Sequence, residues 1–250
     1  MTTASENNKA IVFVHGILGF SSHRVLGREI HYFRALPPRL NHGPVPVHFP
    51  ALPRVGLIED RARALADYLG TLGADHIDLI AHSMGGLDSR YLIHSLDPQH
   101  RVRSLTTIAT PHRGSPLAQW TLEKGGPIYG WLRRISQPGV HDLTPQACVR
   151  FNEAVTDRAD VRYHSYAGVR PVGEIPVFFR PWARAIEKVD GDNDSQVSLN
   201  SATWGEFQGI LRADHLELAG WSFGWPGKPS GRPFDHIGFY RNLVEALCNP

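Results

Sequence analysis

Sulfur is scarce in this chain of 250 residues, which holds two cysteines and two methionines. Cys148 and Cys248 lie far apart and show no metal-ligand spacing. That excludes a cysteine metal site and a disulfide-stapled scaffold, and leaves either one bridge or two free thiols. Lysine occurs only at 9, 124, 188 and 228, so the basic residues are nearly all arginine. They form no run or stripe and read as solvated surface groups. With a formal net charge of +2, nothing points to a nucleic-acid groove. No apolar run is long enough to span a bilayer. The polar opening Met-Thr-Thr-Ala-Ser-Glu-Asn-Asn-Lys lacks the basic-then-apolar layout of a secretory leader. The chain therefore reads as cytoplasmic, or as secreted if a leader has been removed and a start Met added. Internal repeats and low-complexity segments are missing as well.

What is present suits one compact α/β domain over 1–250, with 42% hydrophobic and 20% charged residues. Ala10–His15 is an apolar run that reads as a buried strand ending at Gly16. Residues 29–36 are expected to form a short helix, stopped before Pro37-Pro38. Val45–Phe49 reads as another strand. From Leu57 to Leu72, Ile58, Ala62, Leu65, Leu69 and Leu72 recur at helical spacing, and Gly73 suits the stop. Ile77–Ala81 is a strand, residues 84–96 a helix, and Val102–Ala109 a further strand. Such alternation argues a mostly parallel sheet with helices on both faces.

The segment Ile77-Asp-Leu-Ile-Ala-His-Ser-Met-Gly-Gly86 drives a strand into Ser83, with small residues two before (Ala81) and two after (Gly85). That is the layout of a nucleophile elbow, a sharp strand-to-helix turn that exposes the serine hydroxyl at a helix N-terminus. Ala81 departs from the usual glycine but is still small. The turn also offers the Met84 N–H to a substrate oxygen. A serine hydroxyl needs a histidine to take its proton and a carboxylate to orient that histidine. In folds with this elbow both follow the serine in the chain, acid first.

Asp190-Gly-Asp192-Asn-Asp194 offers three acids. They read as a polar turn, as a calcium loop lacking its closing acid, or as the source of one orienting carboxylate. Asp194, last before the next apolar run, is the preferred candidate. Two histidines follow, His215 and His236, each preceded by aspartate. His215 lies a short hop after Asp194, on the neighbouring loop. His236 abuts a helical pattern (Phe239, Leu243, Ala246, Leu247), where it could cap or pack. A second oxyanion donor is expected from His15-Gly16-Ile17-Leu18-Gly19, with the Ile17 N–H facing the substrate beside that of Met84. The other histidines show no HxxxH or HExxH spacing. Residues 115–145 break the strand–helix rhythm and mix bulky apolar groups with glycines. They read as a mobile lid over an apolar cleft, or as an amphipathic surface helix. Leu18, Phe20, Trp120, Ile128 and Trp131 are the apolar candidates at the mouth.

These segments together resemble the bacterial triacylglycerol lipases of the true-lipase family, with the Pseudomonas/Burkholderia and Bacillus types and their fungal intracellular relatives. Val14-His-Gly-Ile-Leu-Gly-Phe20 is similar to the family's oxyanion segment, and Ala81-His-Ser-Met-Gly-Gly86 to the alanine variant of its elbow. Thr106–Ser115 resembles the segment leading to the lid. Asn193-Asp194 with Val197 and Ser201–Gly205, and Asp214-His215-Leu216, resemble the acid and histidine segments. The resemblance implies an α/β-hydrolase fold with a lid insertion, and a serine ester hydrolase using Ser83, Asp194 and His215 rather than His236. It implies a lipid or other ester substrate, transient contact of the lid with a lipid interface, and no required cofactor. Pseudomonas-type relatives carry a structural calcium beside the histidine. Glu217 stands at one ligand place and Glu174 is a weaker match for another, so no metal ligand is assigned and calcium stays open. The cysteine pair and zinc insertion of other relatives have no match. Alternatives are a short-chain carboxylesterase or polyesterase, acyl transfer to an alcohol, and a binding protein on the same fold that has lost catalysis.

Overall fold

The computed structural model describes residues 8–19, 22–25, 28–40, 43–222 and 233–248. Its strands are β1 (Lys9–Val14), β2 (Ser22–Val25), β3 (Arg28–His31), β4 (Val47–His48), β5 (His76–His82), β6 (Val102–Ile108), β7 (Arg162–Gly168) and β8 (Glu206–Leu211). The helices are α1 (Pro37–Leu40), α2 (Ile58–Thr71), α3 (Gly85–Ser95), α4 (Pro116–Glu123), α5 (Pro127–Ser136), α6 (Pro145–Ala154), α7 (Arg180–Asp190), α8 (Leu199–Ala202) and α9 (His236–Cys248). Six strands form one sheet in the order β4-β1-β5-β6-β7-β8, and each neighbouring pair is parallel.

β1 shows why the central strands are apolar throughout. Ala10, Val12 and Val14 pack on one face with Leu65 and Leu69 of α2 and Leu92 of α3. Ile11 and Phe13 point to the other, against Phe33, Leu36 and, on α9, Tyr240 and Val244. Side chains alternate across a strand, so a strand covered on both faces needs apolar residues at every position. At roughly 25 cal/mol per Å² of buried apolar surface, these two layers carry most of the driving force for folding.

Three expectations need correction. Residues 29–36 are not a helix: β3 pairs antiparallel with β2, Ser22 opposite His31 and Val25 opposite Arg28. Pro37 and Pro38 open α1 instead of ending a helix, because the fixed φ and missing N–H of proline cost nothing in a first helical turn. The strand expected at 45–49 shrinks to Val47–His48 between Pro46 and Pro50, which cannot donate to a ladder. The arginines are not all surface groups: Arg61, Arg90 and Arg170 are buried. Cys148 and Cys248 are free thiols. No helix among the described residues is long and apolar enough to cross a membrane.

Candidate active site

Val14 of β1 lies in register with Ala81 of β5, so the two strands end side by side. The chain leaves β1 toward β4 on one side and β5 toward β6 on the other. Loops that diverge like this open a crevice at the carboxyl ends of the strands. Ser83 sits in it at φ 56°, a left-handed conformation that L residues adopt at a cost. Its neighbours hold it there. Its N–H donates to the Ile108 carbonyl at 3.0 Å, and its carbonyl accepts the Gly86 N–H at 3.1 Å and the Thr110 hydroxyl at 2.8 Å. Two glycines make room. A Cβ on Gly85 would come within 2.6 Å of the Val14 carbonyl oxygen, and one on Gly16 within 2.8 Å of the Ser83 Cβ.

His215, after β8, spans the gap between Ser83 and Asp194. Its Nε2 is 3.0 Å from Ser83 Oγ and its Nδ1 is 2.7 Å from Asp194 Oδ2. Asp194 is fully buried, and its other oxygen accepts the N–H groups of Gln196 (2.9 Å) and Val197 (2.7 Å). A carboxylate so saturated is an acceptor, which puts the His215 proton on Nδ1 and leaves Nε2 to accept from the serine hydroxyl. The His215 N–H also donates to the Asp194 carbonyl at 2.9 Å, which locks the two loops together. The other acids of the 190–194 cluster do different work. Asp190 accepts from Ser198 and Asn200, and Asp192 is exposed. His236 turns its Nε2 to the Arg34 carbonyl at 2.9 Å.

The loop after β1 is held by residues that the sequence reading did not assign. The His15 Nε2 accepts the Leu52 N–H at 3.1 Å, so its proton sits on Nδ1 and is donated to the Gly16 carbonyl at 2.9 Å. Burial, with Arg61 nearby, lowers the His15 pKa to about 4 and keeps the ring neutral. Arg61, wholly buried on α2, donates to the His15 carbonyl at 2.6 Å and to Asp88 on α3 at 2.8 Å. Burial raises the Asp88 pKa to about 6, with Arg61 pulling the other way. Thr110, which braces the elbow, lies in the Thr106–Ser115 segment quoted above; its position just after β6 was the available signal. Among the described residues, neither the Ile17 N–H nor the Met84 N–H has a protein acceptor.

The apolar candidates divide. Leu18 lies in this loop at φ 61°, its N–H tied to the Arg54 carbonyl at 2.6 Å. Phe20 lies outside the described residues. Ile128 and Trp131 on α5 are 61% and 59% exposed. Trp120 on α4 lines a groove of about 380 Å³ with Arg113, Gln119, Val189 and Asn200. The 115–145 segment nevertheless reaches the crevice through the 139–143 turn. A Cβ on Gly139 would meet the Ile17 side chain at 3.0 Å, and Val140 packs in one cluster with Met84 and Leu87. Glu217 and Glu174, the carboxylates suggested for calcium, both pair with the buried Arg170, and Glu174 also pairs with Arg212. No group of three or more His, Cys, Asp or Glu side chains among the described residues is arranged to hold a metal ion.

Residues 64–125 match the PGAP1-like alpha/beta domain. Over 245 residues the chain is 35% identical to triacylglycerol lipase 2 of Saccharomyces cerevisiae, a match covering 88% of this chain and 74% of that protein. It is 32% identical over 112 residues to the triacylglycerol lipase of Pseudomonas fragi, covering 43% of this chain and 36% of that one. In structure it is similar to a metagenomic carboxyl esterase at a TM-score of 0.76 with 20% identity, covering 97% of this chain and 76% of the other.

Proposed function

The chain belongs to the triacylglycerol lipases of the α/β-hydrolase type, and we propose that it cleaves acylglycerol esters through an acyl-enzyme on Ser83. The observation that carries this is the double engagement of His215, 3.0 Å from Ser83 Oγ on one side and 2.7 Å from Asp194 on the other. His215 Nε2 takes the hydroxyl proton as Oγ attacks the ester carbonyl carbon. The carbonyl oxygen gathers negative charge and is received by the Ile17 and Met84 N–H groups, aimed in advance where the charge develops. Asp194 stabilises the imidazolium. The tetrahedral species collapses, His215 returns its proton to the departing alcohol, and the acyl group remains on Ser83. Water, deprotonated by the same histidine, then releases the fatty acid and restores the serine. No cofactor takes part in this cycle.

The preference for long acyl chains rests on Ile128 and Trp131, two large apolar side chains left in the open on α5. In this reading 115–145 is a lid whose apolar face meets the lipid surface transiently. Hydrolysis of a p-nitrophenyl ester series and of emulsified triolein tests the proposal. A rate that jumps above the solubility limit of the substrate supports a lipase; saturation below that limit supports a short-chain esterase. Cytoplasmic location belongs to the same proposal and is tested by cell fractionation.

A further inference from the structure

His82 precedes the serine in the chain and has no part in the proposed cycle, yet it is fully buried. Its ring lies 4.7 Å from that of His215, tilted by 46°. Its Nε2 is 3.1 Å from the His215 carbonyl oxygen, and its Nδ1 is 2.7 Å from the Tyr32 hydroxyl. The chemistry of these partners fixes every proton in the chain. A carbonyl oxygen can only accept, so His82 Nε2 carries a hydrogen. Burial, reinforced by His215 nearby, holds the His82 pKa well below its ordinary value, so the ring is neutral and Nδ1 is bare. Tyr32 must then donate to Nδ1. The Tyr32 oxygen faces the Gly16 backbone amide. A Cβ added at Gly16 would sit 3.1 Å from the Tyr32 oxygen and 3.2 Å from Ser83 Oγ, so Tyr32 borders the crevice itself.

We propose that Tyr32 and His82 are positioning residues that fasten the loop carrying Ile17 to the backbone of His215. The proposal rests on the roles given to Ser83, His215 and Ile17 above. The His215 peptide is then held on both sides, its N–H by the Asp194 carbonyl and its carbonyl oxygen by His82. The two halves of the machinery, proton acceptor and oxyanion donor, come from loops separated by about two hundred positions in the chain. Each loop has its own anchors, but the tie fixes their separation, and misplacement by about 1 Å can cost on the order of 10²-fold in rate. A packing role alone does not explain the arrangement. The Tyr32 ring already packs on Phe33 and His15, at 5.2 and 5.5 Å between centroids, and a phenylalanine would keep both contacts.

A double-substitution cycle tests this, with kcat and KM measured on p-nitrophenyl butyrate and stability by urea unfolding. Tyr32→Phe is expected to lower kcat by about tenfold while KM stays within about twofold. His82→Leu should lower kcat at least as much. The pair together should be no worse than His82→Leu alone, because either change breaks the same chain. His82→Gln should recover part of the loss, since its amide N–H can still reach the His215 carbonyl; if His82→Leu does not fold, His82→Gln takes its place in the cycle. A kcat for Tyr32→Phe within about twofold of the unsubstituted protein, or losses that multiply independently, overturns the proposal. Labelling of Ser83 by a fluorophosphonate, measured on the unsubstituted protein from the same preparation, separates the two failures. Its absence rejects the acyl-enzyme reading itself. Its presence, with Tyr32→Phe unaffected, rejects only the positioning role.

Discussion

The Arg61 guanidinium, on α2, donates to the carbonyl oxygen of His15 at 2.6 Å, at the root of the loop expected to receive the substrate oxyanion. The same group pairs with Asp88 at 2.8 Å and reaches the Pro53 carbonyl, with no exposure to solvent. One buried cation thus binds two helices to the loop that carries Ile17.

Arg61→Met removes those donors and strands Asp88 in the interior. Breaking one side of a buried ion pair costs about 3–5 kcal/mol. Urea unfolding should show a loss of that order, with a lowered kcat in whatever folded protein remains. The double change Arg61→Met with Asp88→Leu should recover part of the stability, because no uncompensated charge is left. A loss below about 1 kcal/mol in the single variant would contradict this role.

Acid should destabilise the protein before most carboxylates titrate. The folded-state pKa of His15 is about 4, below the ordinary 6.5, so the unfolded chain binds a proton that the folded one refuses. Stability from this group is whole above pH 6.5 and is lost as pH falls toward 4. By pH 5 the loss is about 2 kcal/mol. His82 and His112, also lowered by burial, act in the same direction. Asp88 and Asp214, both raised to about 6 by burial, act against it, since the folded state protonates them first. Tm is expected to fall between pH 7 and pH 5, and to fall less in His15→Asn. An equal fall in that variant would remove His15 from the explanation.

Ser83→Ala and His215→Ala should each lower kcat by roughly 10⁶-fold with the fold intact. Asp194→Asn should cost on the order of 10²–10⁴-fold, through the wrong histidine tautomer. His236→Ala should cost less than about tenfold, since its ring serves the Arg34 carbonyl. Circular dichroism of each variant establishes folding before activity is compared. Loss of hydrolysis in His236→Ala with activity kept in His215→Ala would reverse the choice of base.

Ser83, Asp194 and His215 were legible because an elbow is a local device: a few consecutive residues determine the turn, and chain order limits the partners. The apolar alternation of β1 and the periodicity of α2 were legible for the same reason. Arg61 was not. It stands between Ile58 and Ala62 on the buried face of α2, and only the carbonyls of His15 and Pro53, brought up from another segment, make an arginine tolerable there. Pro37-Pro38 reads equally as the end of one helix or the start of the next, and only the pairing of β3 with β2 decides.

Calcium is expected to leave the protein unmoved, because the Arg170 cation is already paired with Glu217 and Glu174. Addition of Ca²⁺ after EDTA should shift Tm by less than about 3 °C, a change of under about 1 kcal/mol for a domain of this size. A larger shift that disappears in Glu217→Ala would establish a site there. Arg170→Met, by contrast, should lower Tm clearly, since it leaves the buried Glu217 carboxylate without its counter-charge.

The central claim is that Ser83 is the nucleophile that carries the acyl group. Mass spectrometry of the intact protein and its peptides after exposure to a fluorophosphonate tests it most directly. The expected result is a single adduct on the peptide containing Ser83, formed in step with loss of ester hydrolysis and missing from Ser83→Ala. Modification at a different residue, or complete inactivation with Ser83 unmodified, would contradict the account.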